Sequence, residues 1–292
     1  MRGGICAEQL MPKNFVFYNP DHHKRIISLL ESGNPEAIIT ATVKNPELVG
    51  ALYPFPLIAD GDFDIPNVYC REDVGDVLAA GDGREFRLKI DAERFPATAS
   101  NIIARLHPES EKKIVFTAHI DAYEDSPGAL DNASGTAVLL LCAEMLADYK
   151  GGIGVEIAAF NGEDHYSAGG EMDYLARYRS EFSNILFVVN IDDIGSLQGR
   201  SSYSFYECPS PIEEKAGEVF GRFEGLVKGE PWFQGDHMIF VQSGVPSIAF
   251  TSENMAELMR TVTHTSEDTP DKVDCGKLVE AAEALNALVR SF

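Results

Sequence analysis

Histidine, aspartate and glutamate residues stand at the ends of several apolar segments of this 292-residue chain. Those that directly follow three such segments are, in chain order, His119 and Asp121, Glu163 and Asp164, and Asp192. Asp131 precedes a helical pattern, and His264 follows the last predicted strand and a short polar segment. A single aspartate before a helix is usually a helix cap, but the coincidence of the whole set favours a metal site. Imidazole and carboxylate groups without cysteine suit Zn²⁺ or a related first-row metal.

The number of candidate ligands exceeds what one tetrahedral ion takes, which favours two ions that share a carboxylate. A two-metal site can hold a hydroxide, polarise a carbonyl and stabilise the leaving group together. One carboxylate then has to stay outside the metal ligands in order to move protons. Glu163 fits that role, because adjacent residues at a strand end point in opposite directions and Asp164 can face the metals.

The elements that position these residues form an alternating pattern. After about residue 100, strands are predicted at 101–106, 114–118, 155–160, 185–191 and 247–250, and helices at 133–149, 171–178, 212–223 and 277–290. Near-continuous apolar strands between helices predict an α/β fold, with a mixed, mostly parallel central sheet sandwiched by helices. Ligands bind such sheets beyond the carboxyl ends of the strands, where the candidate residues lie. The first two strands are predicted to pair around a turn at 107–111.

The first hundred residues have a different, turn-rich pattern, and the segment 95–100 marks the predicted boundary. Helices are predicted at 21–32 and 72–80, and strands at 37–42, 68–70 and 86–90. This pattern predicts a small N-terminal α+β segment.

Composition excludes several classes of partner. The chain carries 24 Lys and Arg against 46 Asp and Glu, a formal net charge of −22. Nucleic acids and anionic membranes are bound by basic surfaces, so this charge argues against both. The longest apolar run, 137–143, is shorter than the ~18 residues of a membrane span, and the N-terminus lacks the apolar core of a signal peptide. Five cysteines without a CxxC pair predict free thiols, so the chain as given is predicted to be cytoplasmic.

Six segments resemble, in order, the signatures of the co-catalytic zinc aminopeptidase family. They are AHIDAY, ALDNASGTAV, AAFNGEDHYSAGGE, VVNIDDIG, GDHMIFVQSGVPSIAF and THTSEDTPDKVD. The family includes bacterial leucyl aminopeptidases, glutamate carboxypeptidase II, glutaminyl cyclase and the transferrin receptor. The resemblance covers roughly 101–292 and implies an α/β sandwich, which agrees with the strand pattern.

The resemblance implies two zinc ions per chain and assigns their ligands. The implied ligands are His119 and Asp192 for one ion, Asp164 and His264 for the other, and Asp131 as the bridge between them. It also implies that Glu163 is the general base and that the Asp121 carboxylate orients the imidazole of His119.

Three further features of the family motifs bear on the site. The peptide bond Asp131–Asn132 is expected to be cis, as in the family. Asp164 stands where many relatives have glutamate, and Thr263 stands where several have a tyrosine that helps to hold the oxyanion. His237 is expected to be a structural residue at a helix start, and His165 a substrate contact rather than a ligand.

Residues 1–98 resemble part of the protease-associated lid domain that several family members insert beside the catalytic domain. The resemblance rests on SLLESGNPEAIITAT, DGDFDIP and REDVGDVLAAG. The predicted domains are therefore a partial lid at 1–98 and a zinc peptidase catalytic domain at 99–292.

The sequence thus predicts a metal-dependent exopeptidase that acts on peptides and favours an aminopeptidase. A carboxypeptidase or dipeptidase of the same fold is the first alternative, and it would need a basic pocket to which Arg177, Arg179 or Arg260 could contribute. Acyl transfer on one zinc, as in glutaminyl cyclase, and a non-catalytic relative are the others. The intact DNASG segment and the full ligand set favour hydrolysis. The sequence does not give the oligomeric state.

Overall fold

The chain divides into two compact units, Met1–Ala99 and Ser100–Phe292. The structure, a computed structural model, describes residues 21–41, 65–91, 93, 96–164, 168–233 and 235–292. All the candidate site residues lie in the second, larger unit.

The described part of the smaller unit contains two helices and a pair of parallel strands. In chain order these are α1 (Asp21–Ser32), β1 (Ile38–Ala41), β2 (Asn67–Cys70) and α2 (Glu72–Ala80). Ile27 on α1 is buried against Ile26, Leu30, Ile38 and Ile65. Both predicted helices are confirmed, whereas part of the DGDFDIP motif lies outside the described residues.

The strand predicted at 86–90 is wrong, because this segment is not part of a strand. The pattern alternates correctly, but Phe86, Leu88 and Ile90 are all exposed, at 61%, 39% and 47%. Alternation stabilises a strand only where one face packs against something and the backbone has a partner. Within the described ranges, the segment pairs with no strand.

The larger unit is built around a seven-stranded sheet. Its strands are β3 (Ile102–Leu106), β4 (Lys113–His119), β5 (Gly154–Phe160), β6 (Ile185–Ile191), β7 (Ser201–Tyr206), β8 (Leu226–Lys228) and β9 (Ser247–Ser252). Their order across the sheet is β3-β5-β4-β6-β9-β7-β8. The strands β5, β4, β6 and β9 run parallel to one another, while β3 and β7 are antiparallel to their neighbours in that group. The sheet is therefore mixed and mostly parallel, as predicted.

The predicted pairing of the first two strands of this unit is wrong. β4 lies between β5 and β6, and β3 pairs with β5 instead. From Ile114 to Ala118 the side chains of β4 are wholly buried, whereas Ile102 on β3 is 64% exposed. A strand buried on both faces belongs in the centre of the sheet, and the half-exposed β3 is suited to the edge.

Helices cover both faces of the sheet. In chain order they are α3 (Gly135–Met145), α4 (Gly169–Tyr178), α5 (Ser210–Phe220), α6 (His237–Val241), α7 (Met255–Thr261) and α8 (Cys275–Arg290). The apolar residues of α3, α5 and α8 pack with Phe116 and Phe187 in one core. On the other face, Phe160 packs against Tyr174 of α4, which in turn contacts Phe240 of α6.

Two strands of the sheet are absent from the sequence prediction. β7 has the sequence SSYSFY, in which half of the residues are serines, and the serines are nonetheless buried. β8 is only three residues long. A polar strand and a very short one both lack the apolar run on which the prediction depends.

The expectations about membrane spans and cysteines can be compared with the described residues. None of the helices there is both long and apolar enough to cross a membrane. Within the same ranges, the cysteines are free thiols, as predicted: Cys70, Cys142, Cys208 and Cys275.

Candidate metal centre

The carboxyl ends of the parallel strands bring the candidate residues together. His119 is the last residue of β4, Glu163 and Asp164 follow β5, and Asp192 follows β6. Asp131 lies in an irregular helical turn, Ala129–Ser134, directly before α3. This is the edge at which an α/β sheet is expected to bind its ligands.

The turn that carries Asp131 packs closely against the end of β6. A Cβ atom on Gly135 would lie 2.4 Å from the carbonyl oxygen of Ile191, so only glycine fits there. The Asn132 side chain donates to that same carbonyl, at 2.9 Å. The peptide bond Asp131–Asn132 is cis, which confirms the sequence prediction.

Two groups of potential ligands share the Asp131 carboxylate. In the first, His119 Nε2 lies 3.0 Å from Asp131 Oδ1 and 3.2 Å from Asp192 Oδ1. In the second, His264 Nε2 lies 3.0 Å from Asp131 Oδ2 and 2.9 Å from Asp164 Oδ1. The two oxygens of Asp131 thus face different imidazoles, as a bridging carboxylate would.

The electrostatics of both groups favour a cation. Burial lowers the pKa of His119, but the Asp192 and Asp131 carboxylates outweigh it and raise the pKa well above its ordinary value. The pKa of His264 is raised in the same way by Asp131 and Asp164. Asp164 Oδ2 is buried and accepts no hydrogen bond from the described part of the chain. Such an orphaned oxygen beside imidazole nitrogens fits a first-row metal ion.

Glu163 lies beside these groups and can reach the same space. Together with His119 and Asp164 it forms a third set of potential ligand atoms within 4.8 Å of one another. Burial raises the pKa of Glu163 well above its ordinary value, and the nearby Glu171 and Asp164 carboxylates add to this shift. A raised pKa brings a carboxylate closer to the range useful for proton transfer near neutral pH.

Asp121 contacts His119 through a different group from the one expected. His119 Nδ1 lies 3.0 Å from the backbone carbonyl oxygen of Asp121, which accepts its hydrogen bond in the tautomer that leaves Nε2 free. The Asp121 carboxylate oxygen is farther away, at 3.8 Å. That carboxylate instead accepts hydrogen bonds from the backbone N–H groups of Gly162, Glu163 and Asp164.

Asp268 is a further residue that holds the site, through hydrogen bonds to the backbone beside Asp131. Its carboxylate is buried and accepts from the backbone N–H groups of Leu130, at 2.7 Å, and Asp131, at 3.1 Å. It therefore fixes the backbone of the shared carboxylate. Tyr123 stacks on the His264 ring, with 4.8 Å between ring centroids.

Replacing Asp268 by asparagine is expected to destabilise the protein by ~1–3 kcal/mol. An asparagine amide would turn a donor towards the N–H of Leu130 or Asp131 and leave it unsatisfied. The free energy of unfolding in urea measures this effect. Asp271→Asn is the matched control. Asp271 lies three positions away in the sequence, and its side chain is 76% exposed. Equal stability of the two variants would contradict the role given to Asp268.

Two other carboxylates lie near the centre, and neither was among the site residues predicted from the sequence, although both belong to the quoted family motifs. Glu171 and Asp236 are both buried. Burial raises the pKa of Glu171 to about 8, and it also raises the pKa of Asp236. Only the tertiary fold places these two residues close to the end of β5.

His237 lies outside the three groups of potential ligands found in the described ranges. It is wholly buried, with Nε2 3.0 Å from the Trp232 carbonyl oxygen and Nδ1 3.3 Å from the Asn190 amide nitrogen. Burial lowers its pKa to about 4, so the ring is neutral at physiological pH. Arg177, a candidate for a carboxylate pocket, pairs with Asp173 on α4. His165 lies outside the described residues.

Comparison with known proteins places this centre in a family. The sequence model of Peptidase family M28 matches residues 101–289. Aminopeptidase YwaD of Bacillus subtilis is 27% identical over 252 residues, covering 80% of this chain and 53% of that protein. A probable zinc metalloprotease of Leptosphaeria maculans is 28% identical over 215 residues, covering 55% of this chain and 48% of that protein. The chain thus spans about half the length of these curated relatives.

Solved structures show the same fold. BSAP, a zinc aminopeptidase from Bacillus subtilis, superposes with a TM-score of 0.71 at 24% identity and covers 91% of this chain and 65% of its own. The aminopeptidase from Aneurinibacillus sp. strain AM-1 gives a TM-score of 0.64 at 23% identity, covering 87% of this chain and 62% of its own. At such identities the likeness supports the fold alone.

Proposed function

Because the chain belongs to Peptidase family M28, we propose that it is a metal-dependent exopeptidase, an aminopeptidase that holds two zinc ions. The observation that carries this proposal is the position of Asp131, whose two oxygens each lie 3.0 Å from a different histidine. The name of the Bacillus relative, an aminopeptidase, supports the choice of substrate end.

The proposed ligands follow from the two groups that share this carboxylate. They are His119 and Asp192 for one ion, Asp164 and His264 for the other, and Asp131 for both. The backbone carbonyl of Asp121 selects the tautomer of His119 that presents Nε2 to the first group. Asp268 holds the backbone of Asp131 in place.

Glu163 is the proposed general base. When bound, two zinc ions make water ionisable near neutral pH and polarise the scissile carbonyl. Glu163 accepts the proton of the attacking water and then delivers it to the nitrogen of the leaving amine. Its backbone is held by Asp121, so its side chain stays close to Asp164 and His119.

A panel of peptides with a reporter group at either end tests the proposal, with metal removal as its control. The wild-type protein is expected to release the residue at the free amino terminus, and a blocked amino terminus should abolish the reaction. Dialysis against a chelator is expected to remove the activity, because ligand groups without their ion cannot activate water. Added Zn²⁺ should restore it.

The other outcomes of this panel point to other reactions of the same fold. Release from the carboxyl terminus would indicate a carboxypeptidase. Cyclisation of an amino-terminal glutamine with one bound zinc would indicate acyl transfer. Full activity after complete metal removal would contradict the proposed chemistry altogether.

A further inference from the structure

The carboxylate of Asp121 lies in a concave cradle of three successive backbone N–H groups. Its Oδ1 atom accepts from Gly162, at 2.7 Å, and from Glu163, at 3.2 Å. Its Oδ2 atom accepts from Asp164, at 3.1 Å. Consecutive N–H groups that converge in this way form an anion site within the backbone, and hydrogen bonds to a charged acceptor are stronger than neutral ones.

The backbone conformation of the loop is shaped for this contact. Gly162 has a φ of +99°, in the left-handed region that favours glycine. This conformation turns the chain directly after β5, so that three neighbouring N–H groups point to one place. The Asp121 side chain reaches that place from the end of β4, the adjacent parallel strand, and is only 13% exposed.

The same residue contacts His119 through its main chain. The carbonyl oxygen of Asp121 lies 3.0 Å from His119 Nδ1, whereas the nearest carboxylate oxygen is at 3.8 Å, beyond hydrogen-bond length. The backbone of Asp121 therefore orients the imidazole, and its carboxylate is engaged elsewhere.

We propose that the Asp121 carboxylate is a positioning residue for the loop Gly162–Asp164, and that it thereby fixes both Glu163 and the Asp164 side chain. This inference rests on the proposed function for the roles of Glu163 and Asp164. It departs from the expectation that the carboxylate orients His119. The two roles predict different losses of zinc binding when the carboxylate is changed. A role on the loop weakens the group that contains Asp164, and a role on the imidazole weakens the group around His119.

An asparagine at position 121 separates the two roles. Its amide carries one acceptor oxygen and one donor nitrogen. If the amide oxygen takes the place of Oδ1, the amide nitrogen faces the N–H of Asp164, and two donors meet there. In the reverse orientation, the amide nitrogen faces the N–H groups of both Gly162 and Glu163. The first orientation loses fewer bonds, so the disturbance falls on Asp164. The backbone carbonyl that His119 uses is unchanged.

Amide hydrogen exchange on the metal-free protein is the first test. In Asp121→Asn, the amide of Asp164 is expected to exchange about ten-fold faster than in the wild type, because its acceptor Oδ2 is replaced by an amide nitrogen. Glu124→Gln, an exposed carboxylate in the same segment, is the matched control and should match the wild type. Unchanged exchange at 162–164 in Asp121→Asn would overturn the proposal.

Zinc binding by each ligand group is the second test. His264→Ala leaves the group around His119, and Asp192→Ala leaves the group that contains Asp164. Adding Asp121→Asn should weaken Zn²⁺ binding ~10–100-fold in the Asp192→Ala background, the usual cost of a lost outer contact, and less than about three-fold in the His264→Ala background. The reverse pattern would show that the carboxylate acts on the imidazole, and equal weakening would show a general structural role. Either result overturns the proposal.

Gly162→Ala provides a variant that leaves Asp121 intact, should Asp121→Asn unfold. A Cβ atom at position 162 disfavours the φ of +99°, so the substitution disturbs the N–H groups of the cradle while the Asp121 side chain is kept. The same selective loss of zinc binding is expected, and equal loss in both backgrounds would overturn the proposal. Because none of these measurements uses peptide hydrolysis, an inactive wild-type protein would count against the proposed function alone.

Discussion

Replacing Glu163 by glutamine is expected to lower kcat by ~10²–10⁴ while the metal content stays unchanged. Glutamine keeps the shape of the side chain but cannot accept a proton from water. The burial and neighbouring carboxylates that raise the pKa of Glu163 prepare it for that transfer. Steady-state kinetics and metal analysis of the same purified sample measure both parts of the expectation.

Glu171→Gln is the matched control for this experiment. Glu171 is also buried close to Glu163, but it belongs to none of the ligand groups within the described ranges. Because burial raises its pKa to about 8, it is largely protonated at pH 7, and glutamine is a near-neutral replacement. Its kcat should stay within about ten-fold of the wild type. Loss of zinc in Glu163→Gln would make Glu163 a ligand and refute its assignment as the base.

Replacing Asp131 by alanine is expected to remove both ions and all measurable peptidase activity. Its two oxygens face both histidines, so one substitution takes a ligand from each group. The loss of zinc affinity should exceed the ~10–100-fold that removal of an outer contact costs. Zinc content after dialysis against a metal-free buffer gives the result directly.

Asp193→Asn is the control for this second experiment. Asp193 is buried next to Asp192, and burial raises its pKa well above the ordinary value. It belongs to no group of potential ligands in the described ranges, and it accepts a hydrogen bond from Thr263. It should keep both ions. An Asp131→Ala protein that retained one ion at wild-type affinity would contradict a bridge.

Sequence reasoning predicted the core of the fold because each central strand is a near-continuous apolar run. β6 and α2 begin and end where predicted. It failed at the margins of the sheet. The edge position of β3 depends on which strand is buried on both faces. β7 is buried, but its serines give it the polar sequence of an exposed segment. These properties arise from packing between distant segments, which local periodicity does not record.

The candidate ligands were predictable for a similar reason. A polar side chain directly after a parallel strand must lie at the carboxyl edge of the sheet, whichever strands become neighbours. The hydrogen bonds that hold the backbone of the site in place were not predictable, since they join side chains to backbone groups elsewhere in the chain. Asp268 binds the N–H groups of Leu130 and Asp131, which lie more than a hundred positions earlier in the chain. Nothing in the sequence near Asp268 indicates where those N–H groups will be.

The centre draws its residues from segments that are far apart in the chain, and this separation has a consequence for folding. His119 and Asp192 are separated by 73 positions, and Asp164 and His264 by 100. Contacts of this kind close long loops, and the chain loses conformational entropy on closing them before the contacts themselves can stabilise it. A nascent or partly folded chain therefore has the individual candidate ligands but not their arrangement. If these residues bind zinc as proposed, we expect native-like coordination only after the parallel strands have assembled, at a late stage of folding.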